Sequence, residues 1–395
     1  MSAPAVDPAL WPLDPGITFL NHGSFGSCPR AVLGLQQQLR ERLERQPVQF
    51  FHRDLEGLVD AARASLAQFV GTDADELVFV PNATSGVNTV LRSLRFAPGD
   101  ELLATDHEYN ACRNALEHAA QASGARTVVA PLPFPLRSPK EVIAAILERV
   151  TPRTRLALID HVTSQTGLVM PIEALVKELD ARGVDTLVDG AHAPGMVRLD
   201  LRQIGAAYYT GNCHKWLCAP KGAGFLRVRR DRQHLVRPLV ISHGANSERT
   251  DRSRYLIEFG WTGTGDPTAF LCVPEAIRFI GSLLPDGWPG VMRRNRQLAL
   301  AARKILCETL GIDPPAPEEM IGTLVSVPIR DARERPAHDA LHLDPLQERL
   351  LAGHAIEVPV IPWPAWPRRL VRVSAQLYNS FPQYERLAAA LKTLQ

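Results

Sequence analysis

The sequence has no excess of charge of either sign. Its 44 basic and 42 acidic residues leave a formal charge of +2, too weak a field to draw the chain to nucleic acid or to a membrane surface. It has no long hydrophobic run. Apolar stretches are short and interrupted by proline, glycine or charge, which excludes a bilayer-spanning helix. The start, Met1 to Pro8, has neither a basic segment nor an apolar one, so no secretory signal is expected. Paired cysteine spacing is also absent, since Cys28, Cys112, Cys213, Cys218, Cys272 and Cys307 are scattered. That argues against a disulfide framework and for free thiols in a reducing cytoplasm. No internal repeat or low-complexity tract is found. What remains is an ordinary globular composition, 45% hydrophobic and 22% charged over 395 residues, enough to bury one large and one smaller core.

Residues 1–30 read as an extended arm rich in proline and glycine. A short strand, Ile17 to Leu20, leads there into a polar turn, Asn21 to Gly26. Small residues permit close approach of backbone to a ligand, so the arm is either a plain loop or a cover over a site. Amphipathic helices are expected over 31–46 and 55–70, where apolar residues recur at helical spacing. Strands and helices then alternate. Strands are expected at Leu77 to Val80, Glu101 to Ala104, Arg126 to Ala130, Arg155 to Asp160 and Asp185 to Asp189. Helices are expected at Gly86 to Arg95, Ala111 to Ala122, Lys140 to Val150 and Ile172 to Arg182. Ala206 to Tyr209 and Phe225 to Val228 are two further β-type runs. This alternation predicts an α/β fold with a mostly parallel sheet covered on both faces, and ligands at the carboxyl ends of its strands.

The pattern changes after about residue 267. Helices are expected from Thr268 to Leu283 and Val291 to Leu310, strands at Leu324 to Val327, Ile356 to Ile361 and Leu370 to Val373, and a last helix after Pro382. The expected division is an arm (1–30), a large domain (31–267) and a smaller α+β domain (268–395). Pro314 to Pro317 and Arg330 to His338 read as solvated loops.

Polar clusters fall where the strands end. Lys215 stands between His214 and Trp216, ahead of a Gly/Pro-rich turn that runs to Gly224. That is an unusual place for a solvating charge. Thr186 to Asp189 reads as a buried strand ending in an acid. A lysine and an aspartate at neighbouring strand ends suit a pyridine aldehyde, the amine forming a Schiff base and the carboxylate pairing with the ring nitrogen. Gly190 and Ala191 would let a flat ring lie against the backbone. His192 is either a core histidine or a donor to a phenolic oxygen. Thr84 and Ser85 follow a strand and open a helix, either as ordinary caps or as part of a phosphate cradle; the acid and lysine downstream favour the cradle. Asn212 and His214 could also hold phosphate oxygens. Tyr109 either stacks on a planar ring or is a half-buried loop residue. Arg372, inside an apolar strand, needs a partner, which is either a substrate carboxylate or a structural ion pair. Cys213, His214 and Cys218 lack zinc spacing and no second ligand pair follows, so no metal is expected.

Seven segments in order carry a family resemblance: Leu20 to Gly26, Asn82 to Gly86, Asp106 to Tyr109, Val188 to His192, Thr210 to Trp216, Gly260 to Thr264, and Arg372 to Ser374. From about Phe19 to Asn379 the chain resembles the class V aminotransferase family of fold-type-I pyridoxal-phosphate (PLP) enzymes, and within it the isopenicillin-N-epimerase-like branch. The resemblance implies that Lys215 carries the cofactor imine, that Asp189 pairs with the pyridinium nitrogen, and that Ala191 and His192 lie beside the ring, His192 near its phenolate oxygen. Tyr109 would take the ring-stacking place that histidine holds in cysteine desulfurases. Thr84, Ser85, Asn212 and His214 would bind phosphate. Gly263 and Thr264 would reach the phosphate from the partner subunit of a homodimer with shared sites. Asn21 and Arg372 would hold the substrate carboxylate.

The resemblance further implies a small amino-acid substrate whose Cα proton is taken by Lys215. Return of a proton on the opposite face, for which Tyr109 is the candidate, gives epimerisation, the first expectation. A C–S (β-)lyase acting on a cysteine conjugate or sulfoxide, or an aminotransferase, is the alternative. A persulfide-forming desulfurase is not expected, because no cysteine lies between Glu308 and Arg372 to attack a substrate sulfur. Side-chain recognition is expected near Phe25, Phe50 to His52 and the loop Ser242 to Arg254. Arg249, Arg252 and Arg254 there either meet a second acidic group or form a solvated cluster.

Overall fold

Alternation of period two sets the central layer. In a strand, neighbouring side chains point to opposite faces, and here both sets are apolar. Ala157, Ile159, Val188, Tyr209 and Phe225 fall in one buried cluster. Leu156, Leu158, Leu187, Tyr208 and Leu226 fall in another. A sheet apolar on both faces must be covered on both. The computed structural model describes residues 4–333 and 343–394, and a seven-stranded sheet flanked by helices is its main layer.

The strands in chain order are β1 (Thr18–Phe19), β2 (Leu77–Val80), β3 (Glu101–Thr105), β4 (Arg126–Ala130), β5 (Thr154–Asp160), β6 (Asp185–Gly190), β7 (Tyr208–Asn212), β8 (Gly224–Val228), β9 (Leu324–Ile329), β10 (Ile356–Glu357), β11 (Val360–Pro362) and β12 (Arg369–Ser374). The large sheet runs β2-β8-β7-β6-β5-β3-β4. Pairs from β4 through β7 are parallel, whereas β8 is antiparallel to both β7 and β2. Strand order reverses at β3, which has β4 on one side and β5 on the other. The carboxyl ends beside that reversal form the crevice where such sheets receive ligands.

The second sheet is the antiparallel set β11-β12-β9. Three expectations are corrected here. Ile356 to Ile361 is not one strand. Its first half, β10, pairs in parallel with β1 of the arm, and its second half, β11, pairs with β12. Pro359 between them cannot donate to a ladder. The helix expected from Thr268 to Leu283 is two, Thr268–Leu271 and Val273–Ser282, with Pro274 in the first turn of the second, where a missing N–H is tolerated. Pro315 and Ala316 are buried rather than solvated. The expected loop from Arg330 to His338 lies, beyond Arg333, outside the described residues.

The arm is tied into both sheets. Besides the β1–β10 pair, Asn21 to Gly26 is a short helix, His22–Phe25, rather than an open turn. Gly26 has φ +70°, and a Cβ there would lie 2.1 Å from the His214 carbonyl oxygen. Only glycine lets the arm press this closely on the Lys215 loop. His22 adds a second tie, its Nδ1 on the Tyr378 hydroxyl at 2.8 Å and its Nε2 on the Lys215 carbonyl at 3.1 Å. Among the described residues no single helix is long and apolar enough to cross a membrane.

Candidate active site

Four consecutive strand ends meet at the crevice. Tyr109 follows β3, Asp160 ends β5, Asp189 lies near the end of β6, and Lys215 follows β7. Asp189 is 1% exposed. Its Oδ1 accepts the Ala191 N–H at 2.8 Å and its Oδ2 accepts the Cys112 thiol at 3.1 Å. Burial raises its pKa, opposed by those two hydrogen bonds and by Lys215.

Lys215 Nζ lies 2.9 Å from His192 Nε2. Trp216 Nε1–H donates to the other ring nitrogen, Nδ1, at 3.4 Å. A neutral imidazole that accepts on Nδ1 carries its proton on Nε2, so once Lys215 has lost its proton Nε2–H donates to the amine lone pair. Burial and Lys215 both hold His192 well below its ordinary pKa. Burial first, and Arg372 second, lower Lys215 from 10.5 to about 8. The nucleophilic form therefore grows as pH rises through about 8. In the cofactor-free protein, amine labelling of Lys215 read by peptide mass spectrometry should have its midpoint near pH 8; a midpoint at the ordinary 10.5 would contradict the environment described.

The start of the helix Ala83–Ser93 forms the next wall. Asn82 caps it, accepting from Ser85 N at 2.9 Å, and Asn212 Oδ1 accepts from Ala83 N at 2.8 Å. The hydroxyls of Thr84 and Ser85 have no hydrogen-bond partner among the described residues and are half-buried. Asn212 thus braces the helix start through its oxygen. His214 is half-buried with Nδ1 on the Ala223 carbonyl, and burial and Lys215 lower it to about 4.

Arg372, on β12, is 4% exposed. Its Nη1 donates to the Ser164 carbonyl at 2.5 Å, its Nη2 to the Ser24 hydroxyl at 2.9 Å, and its Nε is buried without a partner. Among the described residues no carboxylate pairs with it, so the ion-pair alternative is removed. Burial lowers it to about 10, still cationic at neutral pH. Asn21 sits beside it through Ser24, whose hydroxyl donates to Asn21 Oδ1 at 2.5 Å; Asn21 Nδ2 donates to Glu357 at 3.1 Å. Tyr109 is 42% exposed, and its phenol is raised by partial burial, then by Cys112 and Asp189, while Arg372 acts in the opposite sense.

These residues meet at one end of the sheet: a buried acid, a lysine whose amine is lowered to about 8, hydroxyls without partners at a helix start and a buried guanidinium with no carboxylate opposite among the described residues. The aminotransferase class-V family model matches residues 28–387. This chain belongs to the class-V aminotransferase family. It is 38% identical to an isopenicillin N epimerase of Amycolatopsis lactamdurans, over 97% of this chain and 96% of that one. It is 32% identical to a probable chloroplastic L-cysteine desulfhydrase of Arabidopsis thaliana, over 96% of this chain and 83% of that one. Among solved structures, a cysteine desulfurase of Escherichia coli superposes with TM-score 0.77 at 20% identity, covering 98% of this chain and 96% of that one. A cystine C–S lyase superposes with TM-score 0.77 at 22% identity, covering 95% and 97%.

The fold is that of the fold-type-I PLP enzymes, and the cofactor of this class-V enzyme is pyridoxal phosphate. The residues fit it. Unpartnered hydroxyls at a helix start suit a phosphate, a buried carboxylate suits a protonated ring nitrogen, and an amine with a lowered pKa suits an aldehyde.

Several expectations change. Gly190 does not leave room for a flat ring, because a Cβ there would lie 2.4 Å from the Tyr209 ring. That ring fills the space and bonds to His161 Nδ1 at 2.8 Å. Phe50 is a core residue packed on Phe51. Arg249 pairs with Glu56 and Asp251, Arg252 with Asp60, and Arg254 with Glu258, so this is a paired charge cluster. Phe25 is 74% exposed. Sequence reasoning missed Ser24, Ser164, Cys112, Glu108 and Asp160. Asp160 and Glu108 could have been found from their position at strand ends; Cys112 lies inside an ordinary amphipathic helix and gave no signal.

Proposed function

We propose that this chain is a PLP-dependent epimerase or racemase that inverts Cα of an amino acid or of a small molecule containing one. The observation that carries this reading is the pair of proton-handling groups on opposite flanks of the Asp189 strand. Lys215 follows β7 and Tyr109 follows β3, with β6 and β5 between them. Inversion requires a proton to leave one face of Cα and return to the other, from groups placed within reach. The identities of 38% and 35% to two isopenicillin N epimerases support it.

The cofactor supplies, when bound, a sink for the negative charge left at Cα. The protein does the rest. The hydroxyls of Thr84 and Ser85 would hold the phosphate, with His214 and Asn212 flanking it. Asp189 would hold the ring nitrogen, and Ala191, His192 and Tyr109 would contact the ring. Arg372 takes the substrate carboxylate in its planar fork, with Asn21 at its side. Lys215 receives the Cα proton at Nζ. Tyr109, kept protonated by its raised pKa, gives one back from the other side. Gly263 and Thr264 complete the phosphate end of the partner's site in a cytoplasmic homodimer.

A second reading is a C–S lyase, which needs Lys215 alone as proton carrier. It is favoured by the desulfhydrase relative and the C–S lyase fold neighbour. Persulfide-forming desulfuration is disfavoured because all six thiols are buried and none lies between Glu308 and Arg372.

One enantiomer of the substrate incubated in D2O should yield the inverted product with deuterium at Cα. Retained configuration without label would overturn the epimerase reading. Pyruvate and ammonia from a cysteine thioether would replace it with the lyase.

A further inference from the structure

Three carboxyl side chains converge at the crevice: Glu108 just after β3, Asp160 at the end of β5 and Asp189 near the end of β6. They are 4%, 3% and 1% exposed. Strand register sets Asp160 directly beside Asp189. An oxygen of Glu108, an oxygen of Asp189 and the Cys112 sulfur all lie within 4.8 Å of one another. Their hydrogen bonding is unequal. Asp189 accepts on both oxygens. Neither oxygen of Glu108, nor Asp160 Oδ2, makes a well-formed hydrogen bond among the described residues, although the Tyr109 backbone acts on both acids and the Asp160 backbone on Glu108.

A buried carboxylate without partners is costly as an anion, and acids in mutual contact cannot all ionise. The charged groups that face them are few. Lys215 acts on Asp189 and Asp160, and Arg113 acts on Glu108. Arg113 is already paired with Glu117 at 2.8 Å. Tyr109 and Cys112 are uncharged at neutral pH, both raised chiefly by burial. The positive charge at hand matches one anion, and Asp189 is the acid with the donors. Burial and the neighbouring Asp189 raise Glu108 well above the ordinary carboxyl range.

We propose that Glu108 is a protonated carboxylic acid that positions Asp189, its O–H donating to the Asp189 carboxylate alongside Ala191 N–H and Cys112 S–H. A single oriented anion is thereby held where the ring nitrogen is received. This rests on the reading of Asp189 as the partner of that nitrogen. Glu108 touches neither substrate nor cofactor and acts through its neighbour.

The test uses Glu108→Gln and Glu108→Ala. Infrared difference spectra of the cofactor-free protein, wild type minus Glu108→Gln, should contain a protonated-carboxyl stretch that shifts in D2O. Its absence overturns the proposal. In the holoenzyme, the pH at which the cofactor absorbance changes should not move in Glu108→Gln, because one neutral group replaces another. A fall in that pH would mean that a negative charge had been removed, and overturns it. Glu108→Ala, which loses the donor to a charged acceptor, should bind pyridoxal phosphate about tenfold more weakly; wild-type affinity would overturn the donor role. Asp189→Asn separates the two readings. If it leaves cofactor affinity and spectrum unchanged, the ring-nitrogen role of Asp189 fails, while the infrared band still reports the Glu108 proton.

Discussion

Lys215→Ala should lose turnover by about a thousandfold or more, a barrier increase of at least ~4 kcal/mol at ~1.4 kcal/mol per factor of ten. Two functions vanish together. The variant has no amine to bond the cofactor aldehyde, and no base at the face of Cα that Lys215 serves. Effects of groups that act as a unit are not additive, so Lys215→Arg, which keeps a charge but not a usable lone pair, should be nearly as poor. Steady-state turnover gives the rate, and the visible absorbance of the reconstituted protein reports whether the imine forms. Turnover within about tenfold of wild type would remove Lys215 from the chemistry. His192→Ala tests the geometry behind this. Without the Nε2 donor 2.9 Å away, the amine keeps its burial but loses its orientation.

Arg372→Leu should raise KM at least about thirtyfold while leaving cofactor absorbance intact, since truncating one partner of a buried, hydrogen-bonded charge pair costs ~2–5 kcal/mol. The reasoning starts from burial. A guanidinium 4% exposed, with no carboxylate opposite and one nitrogen unpartnered, is an incomplete arrangement that a substrate carboxylate completes. Its hydrogen bonds go to Ser24 and Ser164 and none goes to the Thr84–Ser85 helix start. The effect should therefore fall on substrate and spare cofactor. Arg372→Lys keeps the charge but loses the planar fork, so it should lie between the two. An unchanged KM in Arg372→Leu would mean that the carboxylate is held elsewhere.

The large sheet was legible because its central strands are apolar on both faces, as in Leu156 to Asp160, and are cut off by glycine, proline and cap residues. Strand order was not legible. Nothing in the apolar pattern of β8 says that it inserts antiparallel between β2 and β7. At the strand ends, the meeting of Lys215 and Asp189 was legible because both stand at the ends of apolar strands that the alternation makes neighbours. Gly190 misled because a missing side chain does not reveal whether a ligand or, as here, the ring of Tyr209 takes the space. Ser24 and Ser164 were hidden for a related reason. Their role is to hold Arg372 across 348 and 208 positions of chain, and no local spacing carries such a relation.

That span of 348 positions between Ser24 and Arg372 also sets an order of events on the ribosome. The acid, the helix-start hydroxyls and the lysine have all been translated by residue 215. The contact between Arg372 and Ser24 forms only when the last strand folds back onto the arm. The guanidinium proposed for the substrate carboxylate is thus the last part of the site to be synthesised.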